Sequence, residues 1–369
     1  MSLGLGVLGC GSVFDVAYAG LIDRLQAQER THVSAVYDID PRKRHDAAAR
    51  YGVDPELAGP EAVIGDDDVD AVLVLTSMNE HGPFSLSALE AGKHVLVEKP
   101  MATSLEEAAT LLELSRTSSG LLVCAPHILL SPTYRAIYDM VREGAIGRLL
   151  TARARYGHAG PSWAEWFYQR GGGSLFDLAI YNVTSLCALF GRARRVTAMV
   201  GVAIPEREIN GSTIRVEADD NAHVLLDFGD SCFAVVTTGF TMQMYRSPAI
   251  ELYGSEGTAQ LLGDDWAPEG WELFRNSEGY WRVNLETDRQ WQWTDGLRHL
   301  VDCVESGRST ITRPEHAYHA LEIVLAAQAA GTDGVAREIA SDFPDPVYDA
   351  AGLAPEKPHL VHDHRSSRE

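Results

Sequence analysis

No apolar run in this chain approaches the roughly 18 residues that a membrane-spanning helix needs. Basic residues are also few: 31 Lys and Arg against 52 Asp and Glu leave a formal net charge of −21 over 369 residues. Nucleic acids and anionic membrane surfaces both require clustered positive charge, so neither is expected as a partner. Cysteine is sparse. Cys10, Cys124, Cys187, Cys232 and Cys303 are dispersed and odd in number, without metal-ligand or redox spacing, which fits a reducing compartment. The chain enters an apolar strand with no basic leader, and the expected location is the cytoplasm. His316 and His319, with Glu315 beside them, have helical ligand spacing but lack a third strong ligand, so no metal is expected. Internal repeats and low-complexity segments are missing too.

What is present is alternation. Strand-like runs at 3–8, 32–37, 71–75, 95–97 and 121–125 are separated by helical patterns. Thr103 or Ser104 caps the last of these helices, with Glu106 and Glu107 in its first turn. Such βαβ order predicts a parallel sheet with helices on both faces. From about Pro126 the texture changes to a helix at 133–142 and period-two runs at 194–202, 222–228, 232–238, 249–253 and 258–262. That pattern predicts a largely antiparallel sheet whose exposed face is a candidate for oligomerisation. A late helix is expected at 315–330. The predicted class is α/β, with a dinucleotide-binding domain over 1–125, a substrate-binding and oligomerisation domain over 126–345, and a tail over 346–369 rich in Pro, Asp and His.

Three motifs carry chemistry. The first is the turn Gly9-Cys10-Gly11-Ser12-Val13 between a strand and a helix. Gly9 permits a tight turn, and Gly11 allows the backbone to approach a pyrophosphate held at the helix N-terminus. The following strand ends in Asp38, whose carboxylate can accept from the adenosine ribose and repels a 2′-phosphate, favouring NAD over NADP. Bulky Phe14 takes the place of the third small residue of such fingerprints. The second motif is the buried run Val95-Leu96-Val97 ending in Glu98-Lys99-Pro100. In an open parallel sheet ligands bind outside the carboxyl ends of the strands, which sets Lys99 beside whatever the sheet holds, and an amine there can donate to a reacting oxygen. The third is Gly171-Gly172-Gly173-Ser174-Leu175-Phe176-Asp177, followed by Tyr181. The glycines are expected to let the backbone enter a cleft, and Asp177 and Tyr181, four apart, to share one helix face. His127, just after the last strand of the first region, is a candidate for the cleft, and Trp163, Trp166 and Tyr168 are candidates to stack on a sugar ring.

Together with the segment Gly144-Ala145-Ile146-Gly147-Arg148, these motifs occur in the order and spacing of the glucose–fructose oxidoreductase / inositol dehydrogenase (Gfo/Idh/MocA) family, which residues 3–343 resemble. The resemblance implies an N-terminal Rossmann domain, a C-terminal α/β domain with an open sheet, a nicotinamide cofactor, NAD in preference to NADP, and a polyhydroxylated substrate. It makes Lys99, Asp177 and Tyr181 the catalytic set, with Tyr181 where many members carry histidine. Gly9, Gly11, Ser12, Val13, Asp38, Thr76, Ser77, His81, Glu98 and Lys99 become the cofactor side. Lys99, His127, Trp163, Tyr168, Asp177 and Tyr181 become the substrate side, and a dimer or tetramer is expected through the C-terminal sheet. The asparagine common two residues after Thr76 is Met78 here, and Ala179 replaces a frequent glycine. The resulting expectation is an NAD-dependent oxidoreductase acting on the CH–OH or C=O carbon of a sugar, sugar acid or cyclitol. The alternatives are a non-catalytic cofactor or sugar sensor, and a redox-neutral enzyme with tightly held NAD.

Overall fold

The computed structural model describes residues 2–285, 288, 291–346 and 348. The first unit contains the chain through His127 together with Thr294–Tyr318. Its elements are β1 (Leu3–Leu8), a π-helical turn (Phe14–Tyr18), α1 (Ala19–Ala27), β2 (Thr31–Tyr37), α2 (Pro41–Tyr51), α3 (Pro60–Ile64), β3 (Ala71–Val74), α4 (His81–Glu90), β4 (His94–Val97), α5 (Leu105–Thr117) and β5 (Leu122–Cys124). The five strands form a parallel sheet in the order β2-β1-β3-β4-β5. The order reverses between β1 and β3, which opens a crevice outside their carboxyl ends. The helix stops and starts follow local chemistry. Asp40 accepts from the Arg42 N–H at the start of α2, and Ser104 from the Glu107 N–H at the start of α5.

The second unit holds Ile128–Trp293 and His319–Pro346. It comprises α6 (Pro132–Arg142), β6 (Leu149–Gly157), a second π-helical turn (Leu175–Ala179), α7 (Ile180–Phe190), β7 (Arg195–Gly201), β8 (Glu206–Ile209), β9 (Ser212–Arg215), β10 (Asn221–Gly229), β11 (Cys232–Gly239), β12 (Ile250–Gly254), β13 (Gly257–Asp264), β14 (Ala267–Arg275) and β15 (Trp281–Asn284). Then come α8 (Gly296–Ser306), which belongs to the first unit, α9 (Pro314–Asp333), within which the division falls, and β16 (Arg337–Glu338). Nine strands form one sheet, β15-β14-β13-β12-β6-β11-β10-β7-β16, and β8 and β9 form a separate hairpin. Pairing in the large sheet is antiparallel except between β6 and β11, its centre. Every residue of α7 from Ile180 to Leu189 is buried, as a helix apolar on all sides must be.

The return of α8 to the first unit departs from the expected division at 125/126. Leu297, Leu300 and Val301 are fully buried, and Arg30 grips Asp302 and Glu305 at 2.6 Å each, so the apolar face of this helix completes the core of the first unit. The tail expected from 346 lies, apart from residues 346 and 348, outside the described residues. Among the described residues no helix is long and apolar enough to cross a membrane, and no group of three or more His, Cys, Asp or Glu could hold a metal ion. The His319 ring accepts from the Ala193 N–H and pairs with Ser341, while His316 accepts from the Arg313 N–H.

Candidate active site

In the first unit the loops leaving β1, β2, β3 and β4 carry the residues expected on the cofactor side. Gly9 has φ of +94°, and a Cβ there would lie 2.6 Å from the Leu75 carbonyl, so only glycine lets β1 turn this close to the end of β3. A Cβ on Gly11 would meet nothing within 4 Å. Ser12 and Val13 are exposed and already helical, the Asp15 N–H donates to the Gly11 carbonyl, and Gly11 at the head of the helix has no side chain to cap it. Open space over a glycine and an uncapped helix N-terminus are what a pyrophosphate requires, and the residues fit a dinucleotide. Phe14 is accommodated by burial in the π-helical turn, edge-on to Tyr51 at 6.2 Å.

Asp38 uses both carboxylate oxygens locally: Oδ2 accepts from the Cys10 N–H at 2.7 Å and Oδ1 from the Asp40 N–H at 2.8 Å. It thereby ties the glycine turn to the end of β2, and each oxygen keeps a lone pair for a ribose hydroxyl. Thr76 is half-buried and Ser77 exposed just after β3.

Two residues expected at the cofactor surface are buried instead. His81 bridges the loops after β3 and β4, with Nδ1 2.7 Å from the Pro100 carbonyl and Nε2 3.1 Å from that of Thr76. Burial pushes its pKa down to about 4, so the neutral ring has one N–H and donates to one carbonyl at a time. It is a brace between loops. Glu98 accepts from the Tyr18 hydroxyl at 2.8 Å and from the Lys99 N–H at 3.2 Å. Lys99 is half-buried where β4 ends.

In the second unit Asp177 and Tyr181 converge on a residue that the sequence reading missed, Tyr156 at the end of β6. The Tyr181 ring stands edge-on to Tyr156, with centroids 5.6 Å apart at 88°. Burial first, then the Asp177 charge, pushes the Tyr156 phenol well above its ordinary range. Trp266 lies 6.1 Å from Tyr156 on another side. A signal was available: Ala152, Ala154 and Tyr156 share the inward face of β6, two small residues and then a ring. Beneath Trp266, the buried Asp265 accepts from the Asn182 amide at 2.7 Å, and Tyr245 donates to Asp264 at 2.7 Å.

Asp177 and Tyr181 do not occupy one regular helix as expected. Asp177 sits in the π-helical turn that precedes α7, a feature frequent at functional sites. Asp219 anchors that turn, accepting from the Ser174 hydroxyl at 2.7 Å and the Leu175 N–H at 2.9 Å. The glycines serve this closure rather than opening a cleft. A Cβ on Gly173 would lie 2.4 Å from Asp219 Oδ1, and one on Gly172 2.3 Å from the Trp166 carbonyl.

Two further expectations are corrected. His127 is fully buried, and a Cβ on Gly296 would press within 2.4 Å of its ring. Burial and the neighbouring His299 push its pKa down to about 3, so it is a neutral core residue. Tyr168 is 1% exposed in an apolar cluster with Phe167, Leu178 and Phe240, and its hydroxyl donates to the Pro161 carbonyl. It has no face to offer a sugar. Trp163 is 55% exposed, edge-on to Phe167, and Trp166 stacks on Phe167 at 3.7 Å.

Residues 3–125 match the model of an oxidoreductase family with an NAD-binding Rossmann fold, and residues 134–260 match the GFO/IDH/MocA C-terminal domain. Similar curated proteins include 1,5-anhydro-D-fructose reductase of Ensifer adhaerens, 27% identical over 299 residues that span 79% of this chain and 86% of the relative. Trans-1,2-dihydrobenzene-1,2-diol dehydrogenase of Oryctolagus cuniculus is 26% identical over 300 residues, 77% of this chain and 85% of the relative. Among solved structures, levoglucosan dehydrogenase in complex with NADH and levoglucosan has the same fold, with a TM-score of 0.79 at 20% identity over 92% of this chain and 100% of that one. With the nucleotide-binding and C-terminal domains both matched in order, the chain belongs to the GFO/IDH/MocA family of oxidoreductases.

Proposed function

We propose that this oxidoreductase acts on a CH–OH or C=O carbon of a sugar, sugar acid or cyclitol. The observation that carries this reading is the position of Lys99, at the carboxyl end of the interior strand β4, in the sheet whose strand β1 runs at its own carboxyl end into the Gly9–Gly11 turn. An ammonium placed there polarises the oxygen of a reacting carbonyl. When bound, the nicotinamide supplies or accepts the hydride. Within the second unit, Tyr181 is the group to carry a substrate proton, Asp177 to hold a substrate hydroxyl, and the ring of Tyr156 offers an apolar wall to the CH face of a cyclic polyol. The exposed ring of Trp163 offers a second.

A sensor that binds without turnover, or a redox-neutral enzyme that never releases its cofactor, would keep the same fold. The separating experiment is a screen of pentoses, hexoses, inositols and their oxidised forms with both cofactors, followed at the nicotinamide absorbance. Free NADH is expected to accumulate with at least one polyol. If no substrate of either oxidation state changes the absorbance, the dehydrogenase reading fails.

The proposed cofactor is NAD rather than NADP, because a 2′-phosphate would face the Asp38 carboxylate. Of the neighbouring bases Arg42, Lys43 and Arg44, the last is engaged, donating to the Asp38 carbonyl at 3.2 Å and lying over the Tyr37 ring. Titration of protein fluorescence should give the lower Kd for NADH, and tighter binding of NADPH would overturn the assignment.

The open face of the nine-stranded sheet completes the proposal. Met199, Leu225, Phe233 and Val235, on the neighbouring strands β7, β10 and β11, are 78%, 43%, 41% and 37% exposed. Apolar side chains grouped in this way mark an association surface, and a second copy of the chain is proposed to cover it. Sedimentation equilibrium at micromolar concentration should show a dimer or tetramer that Val235→Glu dissociates; a monomeric wild type refutes this.

A further inference from the structure

We infer that Tyr18 is a positioning residue for Lys99, acting through Glu98; the catalytic consequence rests on the reading of Lys99 given above. Tyr18 belongs to the π-helical turn that follows the glycine loop and is fully buried. Its hydroxyl donates to Glu98 Oε1 at 2.8 Å, and Glu98 is itself 5% exposed. The second oxygen, Oε2, accepts from the backbone N–H of Lys99 at 3.2 Å, and the Glu98 N–H donates to the Val74 carbonyl of β3. The carboxylate is therefore held from one side by a phenol and folds back onto the peptide that carries Lys99.

A buried carboxylate is costly unless donors satisfy it, and charge-assisted bonds are the strong ones. Loss of the phenol leaves Oε1 without that donor. The carboxylate then turns toward another donor and releases the Lys99 peptide, so the direction in which the lysine leaves β4 is no longer set. The Tyr18 backbone lies in the segment whose N-terminus faces the open space over Gly11, so one short helical turn shapes the phosphate side and steadies the amine.

The sequence contains four lysines, Lys43, Lys93, Lys99 and Lys357, which makes labelling a direct probe. Full-length wild type and Tyr18→Phe are exposed to trace acetic anhydride between pH 6 and 10. Acetylation of Lys99 relative to exposed Lys43 is then read by peptide mass spectrometry. The expected result is a Lys99 labelling curve altered by about 3-fold or more in Tyr18→Phe, with that of Lys93, which donates to the Asp66 and Val69 carbonyls, unchanged.

On a substrate identified in the screen, kcat should fall about 10-fold, the scale of one charge-assisted hydrogen bond, with the NADH Kd within about 2-fold of wild type. Combining Tyr18→Phe with Glu98→Ala should cost no more than Glu98→Ala alone, because the tyrosine works through the carboxylate. Should Tyr18→Phe not fold, Glu98→Ala carries the labelling test by itself and is expected to alter the Lys99 curve in the same way. Unchanged Lys99 labelling in the folded variants, or multiplicative losses in the double variant, overturns the proposal. If Lys99→Met proves fully active while the labelling still responds to Tyr18→Phe, the catalytic reading of Lys99 fails and the positional link stands.

Discussion

Lys99→Met is expected to bind NADH with wild-type affinity and to turn over about 10²–10⁴-fold more slowly, the range for loss of one acid–base group. Methionine retains the length and apolar stem of lysine and removes only the charge and its three donors. The buried packing of Val95, Leu96 and Val97 behind it is left intact, and the Gly9–Gly11 turn is untouched, so the loss should fall on kcat. An unperturbed tyrosine with pKa about 10 is too weak a base near neutrality, so proton transfer by the Tyr181 phenol requires a cation that stabilises its phenolate. Tyr181→Phe should accordingly remove the rise of kcat/KM with pH in the oxidative direction, the limb that an essential base controls. Asp177→Asn should mainly raise KM, since its task is to hold a hydroxyl. A Lys99→Met variant with near-normal kcat would reduce the lysine to a structural role, and an unchanged profile in Tyr181→Phe would move the proton to another group.

The second large effect concerns stability and arises from Asp265, which none of the sequence motifs includes. Its carboxyl is buried between α7 and the turn joining β13 to β14, and burial raises its pKa from the ordinary 3.8 to about 7. Asp264 pushes in the same direction, while the Asn182 amide, the Ser185 hydroxyl and the Trp266 N–H oppose it. Oδ1 of Asp265 and Oδ1 of Asn182 are both buried acceptors without a donor, and a proton on the Asp265 carboxyl lessens that burden.

The folded state therefore binds a proton that the unfolded state has released between about pH 4 and pH 7. Stability from this group is fully present below pH 4 and is lost as pH rises through 7, by up to about 4 kcal/mol. Asp265→Asn, neutral at every pH, should unfold at a higher temperature than wild type at pH 8, with a much smaller difference at pH 5. Thermal unfolding at the two pH values checks this, and a difference between variant and wild type that does not change with pH would sink it.

Much of the first unit could be read directly because its determinants are local. The apolar run 3–8 followed by Gly9 is strand and turn in consecutive residues, Asp38 ends the next strand, and Lys99 stands immediately after Val95-Leu96-Val97. The helix caps at Asp40 and Ser104 act across two or three residues. In the second unit, β6 escaped the reading although it is the centre of the sheet. Arg153 and Arg155 face outward along it and Ala152 and Ala154 inward, an inverted weight of charge and apolarity that hides a core strand. The π-helical turns at 14–18 and 175–179 were invisible for a different reason: the buried positions Phe14, Ala17, Tyr18, Leu21 and Ile22 keep the three-and-four spacing of an ordinary α-helix.

The sequence by itself determined the alternating architecture of the first unit, the glycine turn, the carboxylate after β2, the lysine after β4 and the pairing of Asp177 with Tyr181 in one segment. Each of these depends on neighbours within about one helix or strand. Only the tertiary structure decided that Asp177 and Tyr181 converge on Tyr156 and that Asn182 meets Asp265 across 83 residues. It also decided that Tyr18 secures Glu98 across 80, that α8 returns to the first unit, and that His127, His81, Glu98 and Tyr168 are buried. Burial and long-range hydrogen bonding depend on what the rest of the chain places over a residue. A histidine at a strand end and a tyrosine beside tryptophans read alike in sequence whether they face a ligand or the core.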